Sequence, residues 1–526
     1  MTTRIPPRTR PLPPFRVVWA FVLAAVALPA APPSGLLAQM PPTGAERADF
    51  DRTSAHAEVL DFLMEVRARS DHVLVEELTV TNQGRVLPIV YLGDPPTSDP
   101  GAALLSGKPT VLFTGSVHGN ERAGKEGSQQ LIRELALGEL RPLLERVNVL
   151  IVPSLNPDGA ERPGRTNSLD YDMNRDFIVA ETPEISALLE VLTTWEPDVF
   201  VDVHNGGAYP YNVTYQATLH PAADPDLVAF ARGPMYDAIG GHLGTQGMTT
   251  YWYSGPRETE DGWIWRTTEP WARKQHTYGG LQNMITLLFE IPGRWSLEEQ
   301  ADNARETMEG MVRFVADNAD AVRGTVLEAR RRTVESPPSE IPLEIEATAY
   351  PEEEQFWVIP ERGAEPELVT GENRTLYVPT RARSWPWAYA FDGRFDEVAE
   401  HLRRHGLEVE RLTAPARVPA ERYRITALEW ADAPYQNHLL ADVAVELEPA
   451  MEAELPAGTY LARTRQHGAR LLTQMMEPDT EDSLVTWNFF DHTLPSPGAV
   501  ADPDEPEYLD IVRIPTSTPV ESLVVR

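Results

Sequence analysis

The chain has 526 residues, with 79 acidic against 46 basic side chains, a formal net charge of −33 and no cysteine. A length well above about 300 residues favours more than one domain. The negative charge excludes a nucleic-acid-binding protein, which needs cations to meet phosphates. The missing cysteines exclude disulfides, thiolate nucleophiles and cysteine-bound metals. Any metal must therefore be held by histidine, aspartate or glutamate.

The first segment has the pattern of a secretory signal peptide. Four arginines and no acidic residue precede the apolar run 17–31. This run is short for a membrane span, which needs about 20 residues. We therefore expect residues 1–38 to be a signal peptide. The mature protein would then be exported to the periplasm or the exterior of a bacterial cell, with no stable membrane anchor. An uncleaved N-terminal anchor is the alternative.

The next part of the chain, from about residue 53 to residue 321, alternates strand and helix patterns. A helix is predicted at 55–68, and a hairpin with strands at 72–81 and 85–92 turns at Asn-Gln-Gly, a sequence suited to positive φ. Further apolar strands are predicted at 109–113, 147–153, 199–203 and 284–291, and further helices at 121–137, 184–195, 224–239 and 297–319. This alternation predicts an α/β fold, a mixed central sheet with helices on both faces.

The remainder of the chain is predicted to be a smaller, β-rich C-terminal region. The polar, proline-rich stretch 333–342 is interpreted as a linker, and one helix is predicted at 396–405, ended by Gly406. The predicted domains are thus a signal peptide at 1–38, an α/β domain at 45–325 and a C-terminal region at 340–526. That region could cover a functional site, bind a polymer or another protein, or stabilise the rest of the protein.

The first chemical motif follows the strand predicted at 109–113. His118 and Glu121 lie three residues apart where this strand gives way to a helix, so both side chains can reach one metal ion. The spacing alone is a weak signal because it recurs at His405 and Glu408, which we interpret as a solvated helix end. The preceding strand distinguishes the first pair from the second.

A third metal ligand is available at the end of the strand predicted at 199–203. His204 follows this strand and precedes Gly206 and Gly207, which permit unusual backbone angles. Sites in α/β proteins form at the carboxyl ends of strands. A lone histidine there is more often structural, but with His118 and Glu121 it completes a His₂Glu set that leaves one position open for water.

Two further groups of polar residues accompany this set. Glu290 ends a strand of mostly apolar residues and is either a buried ion-pair partner or a general base. The segment 156–177 contains Arg165 and, at Asp172-Met173-Asn174-Arg175, a second arginine beside an asparagine. Arginine suits bidentate binding of a carboxylate, so this segment indicates capture of an anionic group, with ordinary loop ion pairs as the alternative.

In this order along residues 53–321, the motifs resemble the zinc carboxypeptidase family of carboxypeptidase A-like metallopeptidases, in a large exported bacterial form. The resemblance implies one Zn²⁺ per chain, bound by His118, Glu121 and His204. It implies that Glu290 is the base that activates the zinc-bound water and later passes the proton to the leaving amine.

The same resemblance implies roles for four other residues. Arg165 would polarise the scissile carbonyl and stabilise the oxyanion. Asn174 and Arg175 would hold the terminal carboxylate of the substrate. Asp172 would orient the first zinc histidine.

The implied activity is that of an exported zinc metallocarboxypeptidase, acting on a peptide or peptide-like substrate with a free carboxylate. One alternative is a related zinc amidohydrolase acting on cell-wall peptides or N-acyl amino acids. The other is a non-catalytic peptide-binding protein. The family's lid tyrosine is left unassigned among Tyr251, Tyr253 and Tyr278, and the preferred C-terminal residue and the oligomeric state are left open.

Overall fold

The computed structural model describes residues 40–361, 363–495 and 506–525. The predicted signal peptide, residues 1–38, lies outside the described residues. Within these ranges no helix combines the length and the apolar character needed to cross a membrane.

Helices form where amphipathic stretches follow a capping residue, as at Pro183–Trp195, where the Thr182 hydroxyl accepts from the Ile185 amide. The predicted helices at 55–68, 121–137, 184–195 and 297–319 are confirmed to within two residues at each end, and the one at 224–239 is interrupted by a π-turn and extends to Thr245. The helices are α1 (Gly44–Arg47), α2 (His56–Arg67), α3 (Pro100–Ser106), α4 (Ala123–Leu137), α5 (Pro157–Glu161), α6 (Pro183–Trp195), α7 (Pro225–Phe230), α8 (Tyr236–Thr245), α9 (Gln275–Leu281), α10 (Leu297–Asp317), α11 (Ala319–Glu335), α12 (Asp396–Arg404) and α13 (Ala469–Met476).

Strands form at all the apolar runs predicted in the α/β part, and the first two pair as the predicted hairpin, with Gly84 at φ +77° in the turn. The strands are β1 (Val73–Val80), β2 (Val86–Leu92), β3 (Thr110–Gly115), β4 (Asn148–Val152), β5 (Val199–His204), β6 (Val213–Ala217), β7 (Thr250–Trp252), β8 (Gly255–Thr259), β9 (Gly262–Arg266), β10 (Ile285–Glu290), β11 (Glu340–Thr348), β12 (Glu354–Val358), β13 (Glu367–Arg374), β14 (Leu376–Ser384), β15 (Ala388–Phe391), β16 (Glu410–Leu412), β17 (Ala416–Trp430), β18 (Ala441–Leu447), β19 (Met451–Leu455), β20 (Tyr460–Arg463), β21 (Tyr508–Ile514) and β22 (Ser522–Val524).

The central sheet has the order β1-β2-β4-β3-β5-β10-β6-β7. Strands β4, β3, β5 and β10 are parallel. Strand β2 pairs antiparallel with β1 and with β4, whereas β6 pairs antiparallel with β10 and parallel with β7. Every residue of the four parallel strands is buried, because helices cover both faces. Along β5, Val201 belongs to the core beneath α2, α4 and α10, and Phe200 belongs to the opposite core beneath α6. The predicted mixed α/β sheet is confirmed.

The C-terminal region is β-rich, as predicted, and it shares a hydrophobic core with the α/β part. One continuous cluster joins Leu188 on α6 to Leu402 on α12 and Ile511 on β21. A four-stranded sheet, β12-β13-β9-β8, combines strands from both parts of the chain. From Pro41 onward the described residues form one compact unit, and the division into regions at 45–325 and 340–526 stays a prediction.

The predicted linker at 333–342 was wrong. Helix α11 runs to Glu335 and β11 begins at Glu340, so only residues 336–339 lie between regular elements. The reason is tertiary packing: Thr333 is buried, and its hydroxyl accepts hydrogen bonds from Asn283 Nδ2 at 3.1 Å and Arg470 Nε at 3.1 Å. These contacts hold the end of α11 in helical form despite the prolines that follow.

The predicted helix at 396–405 is confirmed as α12, with Gly406 at φ +73°, but its end is not solvated. His405 is fully buried. Its Nδ1 accepts from the Tyr278 hydroxyl at 2.9 Å, and its Nε2 donates to the Ile178 carbonyl at 3.1 Å. The helix end packs onto the α/β part, a contact that local sequence does not encode.

A buried carboxyl on α6 makes stability depend on pH. Glu184 is fully buried and has no ion-pair partner among the described residues. Burial raises the pKa of Glu184 to about 7, from an ordinary 4.5. The folded protein therefore retains a proton that the unfolded chain releases, and the free energy of unfolding falls as pH rises through this window.

We expect Glu184→Gln to be more stable than the wild type at about pH 8, by roughly 2–3 kcal/mol. At about pH 4.5 the two proteins should be similarly stable, because the wild-type carboxyl is then protonated in the folded state. Urea unfolding at both pH values measures the difference. Parallel pH dependence of the two proteins would contradict the assignment.

Candidate active site

Three neighbouring parallel strands bring the predicted ligands together. The carboxyl end of β3 leads through Ser116 into the turn that carries His118 and Glu121, β5 ends at His204, and β10 ends at Glu290. The order β3-β5-β10 and the pairing of Glu290 directly opposite His204 place these ends side by side. Parallel strands must end at the same edge of a sheet, so the four side chains meet there.

The donor atoms of His118, Glu121 and His204 all lie within 4.8 Å of one another, and all three residues are buried. His118 Nδ1 lies 2.7 Å from Glu121 Oε1, and His204 Nδ1 lies 2.7 Å from Glu121 Oε2. Two imidazoles and a carboxylate form a donor set that fits zinc with a position left for water. The three residues could therefore hold a metal ion.

Each histidine has a carboxylate on its other ring nitrogen. His118 Nε2 lies 3.0 Å from Asp172 Oδ1, and His204 Nε2 contacts Asp202 Oδ2. Such partners fix the tautomer of a metal-binding histidine and turn its ring toward the ion. Asp172 was predicted on this side of the site, whereas Asp202 was missed. The sequence could have indicated it, because Asp202 lies two residues before His204 on β5 and this spacing puts both side chains on one face of the strand.

These contacts shift the pKa values of the three candidate ligands. Burial alone would lower the pKa of His118 and of His204, but the charges of Glu121 and the partner aspartates raise both. Burial would raise the pKa of Glu121, but His204 and His118 hold it well below its usual range. Glu121 is therefore ionised, as a metal ligand must be.

Glu290 faces this group from the end of β10. Burial raises the pKa of Glu290 to about 7, and its buried Oε2 has no hydrogen-bond partner among the described residues. A Cβ on Gly206 would lie 2.6 Å from that oxygen, and one on Gly207 would lie 2.2 Å from the Glu290 carbonyl oxygen. Neither glycine has a positive φ, so left-handed backbone angles do not explain the pair; the close approach of Glu290 requires glycine.

Arg165 borders the same cavity, a space of about 160 Å³. Its Nε donates to Asp172 Oδ2 at 3.0 Å, and its Nη1 lies 3.7 Å from Glu121 Oε1. Asp172 therefore contacts both a candidate ligand and this arginine. The guanidinium is half exposed, so it can meet a molecule that enters the cavity.

Asn174 and Arg175 line the same cavity from a 3₁₀ turn, Met173–Arg175. The Asn174 Oδ1 atom accepts from the Gln275 amide at 2.9 Å, and its Nδ2 lies 3.4 Å from His204 Nε2. Arg175 Nη1 donates to the Asn174 carbonyl at 2.7 Å. All eight residues that the sequence singled out for the site are thus brought to one place.

The structure distinguishes the three tyrosines that the sequence could not. Tyr253 lines the cavity near Glu290, whose charge, together with burial, raises the pKa of Tyr253. Tyr251 instead donates to Glu354 Oε2 at 2.6 Å, and Tyr278 is buried against His405. Spacing could not separate them, because all three lie in one aromatic-rich stretch.

Two other site residues were missed by the sequence analysis. Asn205 donates its backbone amide to Glu121 Oε2 at 3.1 Å, and its side-chain oxygen accepts from the Arg122 and Ala123 amides at the start of α4. Its position directly after His204 was the only indication in the sequence that Asn205 belongs to the site. Lys274, just before α9, lines the cavity wall, and no motif pointed to it.

A second His/Glu group lies outside this cavity, at His242, Glu306 and Glu309. Its carboxylates already pair with arginines: Arg305 contacts both glutamates, and Arg313 Nε lies 2.8 Å from Glu309 Oε1. Charges that are neutralised by arginine leave little attraction for a cation. The group on β3 and β5 is therefore the better candidate for a metal.

Comparison with known proteins agrees with this chemistry. The profile of the zinc carboxypeptidase family matches residues 59–251, a range that includes all the candidate site residues except Glu290, Tyr253 and Lys274. The family is zinc-dependent. This match and the two carboxypeptidases that are compared by sequence below support a hydrolase of peptide bonds.

Carboxypeptidase 2 of Trichophyton rubrum is 23% identical over 429 residues, which cover 77% of this chain and 78% of that protein. A match of that extent also takes in part of the C-terminal region. Carboxypeptidase D of Mus musculus is 32% identical over 160 residues, which cover 23% of this chain and 12% of that protein. A solved metallo-carboxypeptidase from Burkholderia cenocepacia has 21% identity and a TM-score of 0.41, covering 51% of this chain and 70% of that one.

We expect Gly206→Ala to lower kcat for peptide hydrolysis by about 100-fold, because the new methyl group displaces the Glu290 carboxylate, and shifts of about 1 Å cost this much. Gly241→Ala is the matched control, since nothing lies within 4 Å of a Cβ at Gly241. Steady-state kinetics and thermal melting of both variants measure the effect. Wild-type kcat in Gly206→Ala would contradict the close approach.

Proposed function

We propose that the protein is an exported zinc metallocarboxypeptidase that hydrolyses the C-terminal peptide bond of its substrate, with Glu290 as general base and acid. The observation that carries the proposal is the convergence of His118, Glu121 and His204 beside the buried Glu290 in a cavity that also contains arginines. Export rests on the signal-peptide pattern at residues 1–38 and places the enzyme in the periplasm or outside a bacterial cell.

His118, Glu121 and His204 would hold one Zn²⁺ per chain. A zinc ion bound there supplies Lewis-acid chemistry, lowering the pKa of water and polarising a carbonyl. Asp172 and Asp202 hold the two imidazoles with their Nδ1 atoms turned toward Glu121. The donor set, its burial and these partners fit the ion.

Glu290 takes a proton from the attacking water and delivers it to the leaving amine nitrogen. Its raised pKa suits both steps, because a carboxyl with a pKa near 7 can accept and release a proton near neutral pH. Its unpartnered Oε2 is the atom available for this transfer. Tyr253 lines the same cavity close to this carboxyl.

The arginines bind the substrate. Arg165, held by Asp172, stabilises the negative charge that develops on the carbonyl oxygen. Asn174 and Arg175 hold the terminal carboxylate, a group that an internal peptide bond lacks. This clamp gives exopeptidase selectivity, since only a chain end brings both its carboxylate and its last peptide bond to the site.

We expect Glu290→Gln to lower kcat by a factor of about 10³–10⁴, because the amide cannot accept the proton. The purified variant should still bind one zinc per chain by metal analysis, since the three ligands are unchanged. Glu258→Gln, at an exposed position on β8, is the control. Cleavage by Glu290→Gln at the wild-type rate, or the absence of zinc from the wild type, would contradict the mechanism.

Peptides with a free C-terminus should be cleaved at least about 100-fold more efficiently than their amidated counterparts, because amidation removes the charge that the arginine clamp binds. The measurement is kcat/KM for matched peptide pairs. Equal cleavage of both would contradict the clamp and favour the amidohydrolase alternative. Binding of both without cleavage would favour a peptide-binding protein.

A further inference from the structure

The C-terminal region reaches the active site through the tip of the β17–β18 hairpin. At this tip the Tyr435 amide donates to the His438 carbonyl at 2.8 Å, and the His438 amide donates back at 2.9 Å. The two residues between them have positive φ, +49° at Gln436 and +65° at Asn437. This is the geometry of a type I′ turn, for which asparagine or glycine, and not glutamine, is the usual first residue.

Gln436 makes two hydrogen bonds that explain its presence there. Its Oε1 accepts from the Asp172 amide at 3.0 Å, and its Nε2 donates to the Asp172 carbonyl at 3.2 Å. One side-chain amide thus pairs with both backbone groups of a residue 264 positions earlier. Residues with unfavourable backbone angles persist where other contacts require them, often at functional sites.

Asp172 links the metal side of the active site, at His118, to the arginine side, at Arg165. Its Oδ1 contacts His118 and its Oδ2 accepts from Arg165. The tip is itself anchored: His438 Nε2 lies 3.2 Å from Glu181 Oε1, and its Nδ1 lies 3.0 Å from Asn488 Oδ1. Movement of the tip would be passed to both the metal side and the arginine side of the site.

We propose that Gln436 is a positioning residue through which the C-terminal region holds Asp172, and with it His118 and Arg165, in the catalytic arrangement. The expected change in catalytic rate rests on the proposed function. The expected change in zinc affinity depends only on His118 being a metal ligand. The C-terminal region then contributes directly to the arrangement of the active-site residues.

The test uses Gln436→Gly and Gln436→Asn in the full chain. Both residues suit positive φ, so the turn should be at least as stable as in the wild type, but neither side chain reaches Asp172. We expect kcat to fall by about tenfold with KM within about twofold, and the zinc dissociation constant, measured by chelator competition, to rise by up to about tenfold. Thermal melting should not fall.

The matched control is Asn437→Gly, which changes the other positive-φ residue of the same turn and leaves the Gln436 amide in place. Its kcat and zinc affinity should match the wild type. Wild-type kcat and zinc affinity in both Gln436 variants would overturn the proposal. If the wild type proves to hydrolyse no peptide, unchanged zinc affinity in the variants would still overturn it, and weakened zinc affinity would support it.

A second, independent observation concerns Lys274 on the cavity wall. The side chain is buried, and its Nζ donates to Thr268 Oγ1 at 3.1 Å and to the Glu269 carbonyl at 2.6 Å. No carboxylate lies within 4 Å of Nζ among the described residues, and Arg175 lines the same cavity. Burying an ammonium without a carboxylate partner is costly, and the Trp271 ring, 4.9 Å from Nζ, does not neutralise the charge.

The charge environment of Lys274 favours the binding of an anion. Burial and the nearby Arg175 lower the pKa of Lys274 to about 7. An acidic group entering the cavity would offset both effects. Arg175 is assigned to the terminal carboxylate of the substrate. Lys274 can then bind a second anionic group, the side chain of the substrate's C-terminal residue.

We infer that Lys274 forms a subsite for an acidic side chain, so that the enzyme prefers substrates ending in glutamate or aspartate. This inference rests on the proposed function and names its substrate class. The competing role is a structural tether for the loop at Thr268 and Glu269. The two roles differ in whether the effect of removing the charge depends on the substrate.

Acyl-dipeptides ending in Glu, Gln, Leu or Lys separate these roles. We expect wild-type kcat/KM for Glu to exceed that for Gln by about tenfold or more. Lys274→Met should abolish this preference and leave cleavage of the Leu substrate within about threefold. Lys108→Met, a partly buried lysine outside the cavity, is the control and should behave as the wild type.

An equal loss on all four substrates in Lys274→Met, or no preference for Glu in the wild type, would overturn the subsite. If Lys274→Met fails to fold, calorimetric titration of the zinc-loaded wild type with free glutamate and glutamine replaces it, and equal affinity overturns the subsite. Failure of the wild type to cleave any of the four peptides would contradict the proposed function, and the subsite with it.

Discussion

The parallel register between β5 and β10 is the constraint on which the active site depends. It places Glu290 directly opposite His204, while the parallel pairing of β3 with β5 brings the turn carrying His118 and Glu121 to the same edge. Backbone hydrogen bonds fix these positions before any side chain is considered. The buried strands are rigid because both faces are covered, so the three donors are preorganised for an ion.

Around this centre, carboxylates contact the imidazoles and arginines line the cavity. Asp172 and Asp202 turn the imidazoles, and Asp172 also holds Arg165. Glycine at 206 and 207 lets Glu290 approach closely. The protein is strongly acidic as a whole, so its long-range field repels an anionic substrate. Inside the cavity, Arg165, Arg175 and Lys274 are the basic side chains that can oppose this repulsion locally.

The C-terminal region extends this support across the molecule. Arg470 on α13 donates to Asp224 Oδ2 at 3.0 Å, and Asp482 accepts from the Arg273 amide at 2.9 Å, next to Lys274. His405 packs under Tyr278, and Gln436 pairs with Asp172. Two of these contacts, at Asp172 and at Arg273 beside Lys274, fall on segments that carry the site. A region whose role the sequence left open thus contacts the α/β part at several points around the cavity.

The sequence by itself determined the α/β elements and the candidate ligands, because apolar strand runs, turn residues and strand-end polar residues are local patterns. It correctly predicted the strands that end at His204 and Glu290 and the turn that carries His118. Only the tertiary structure decided the rest. It showed that Thr333 is held in a helix, that His405 is buried, that Gly206 serves close packing, that Tyr253 rather than Tyr251 meets Glu290, and that Gln436 reaches Asp172. Each of these depends on a contact between residues far apart in the chain, and no spacing rule encodes such a contact.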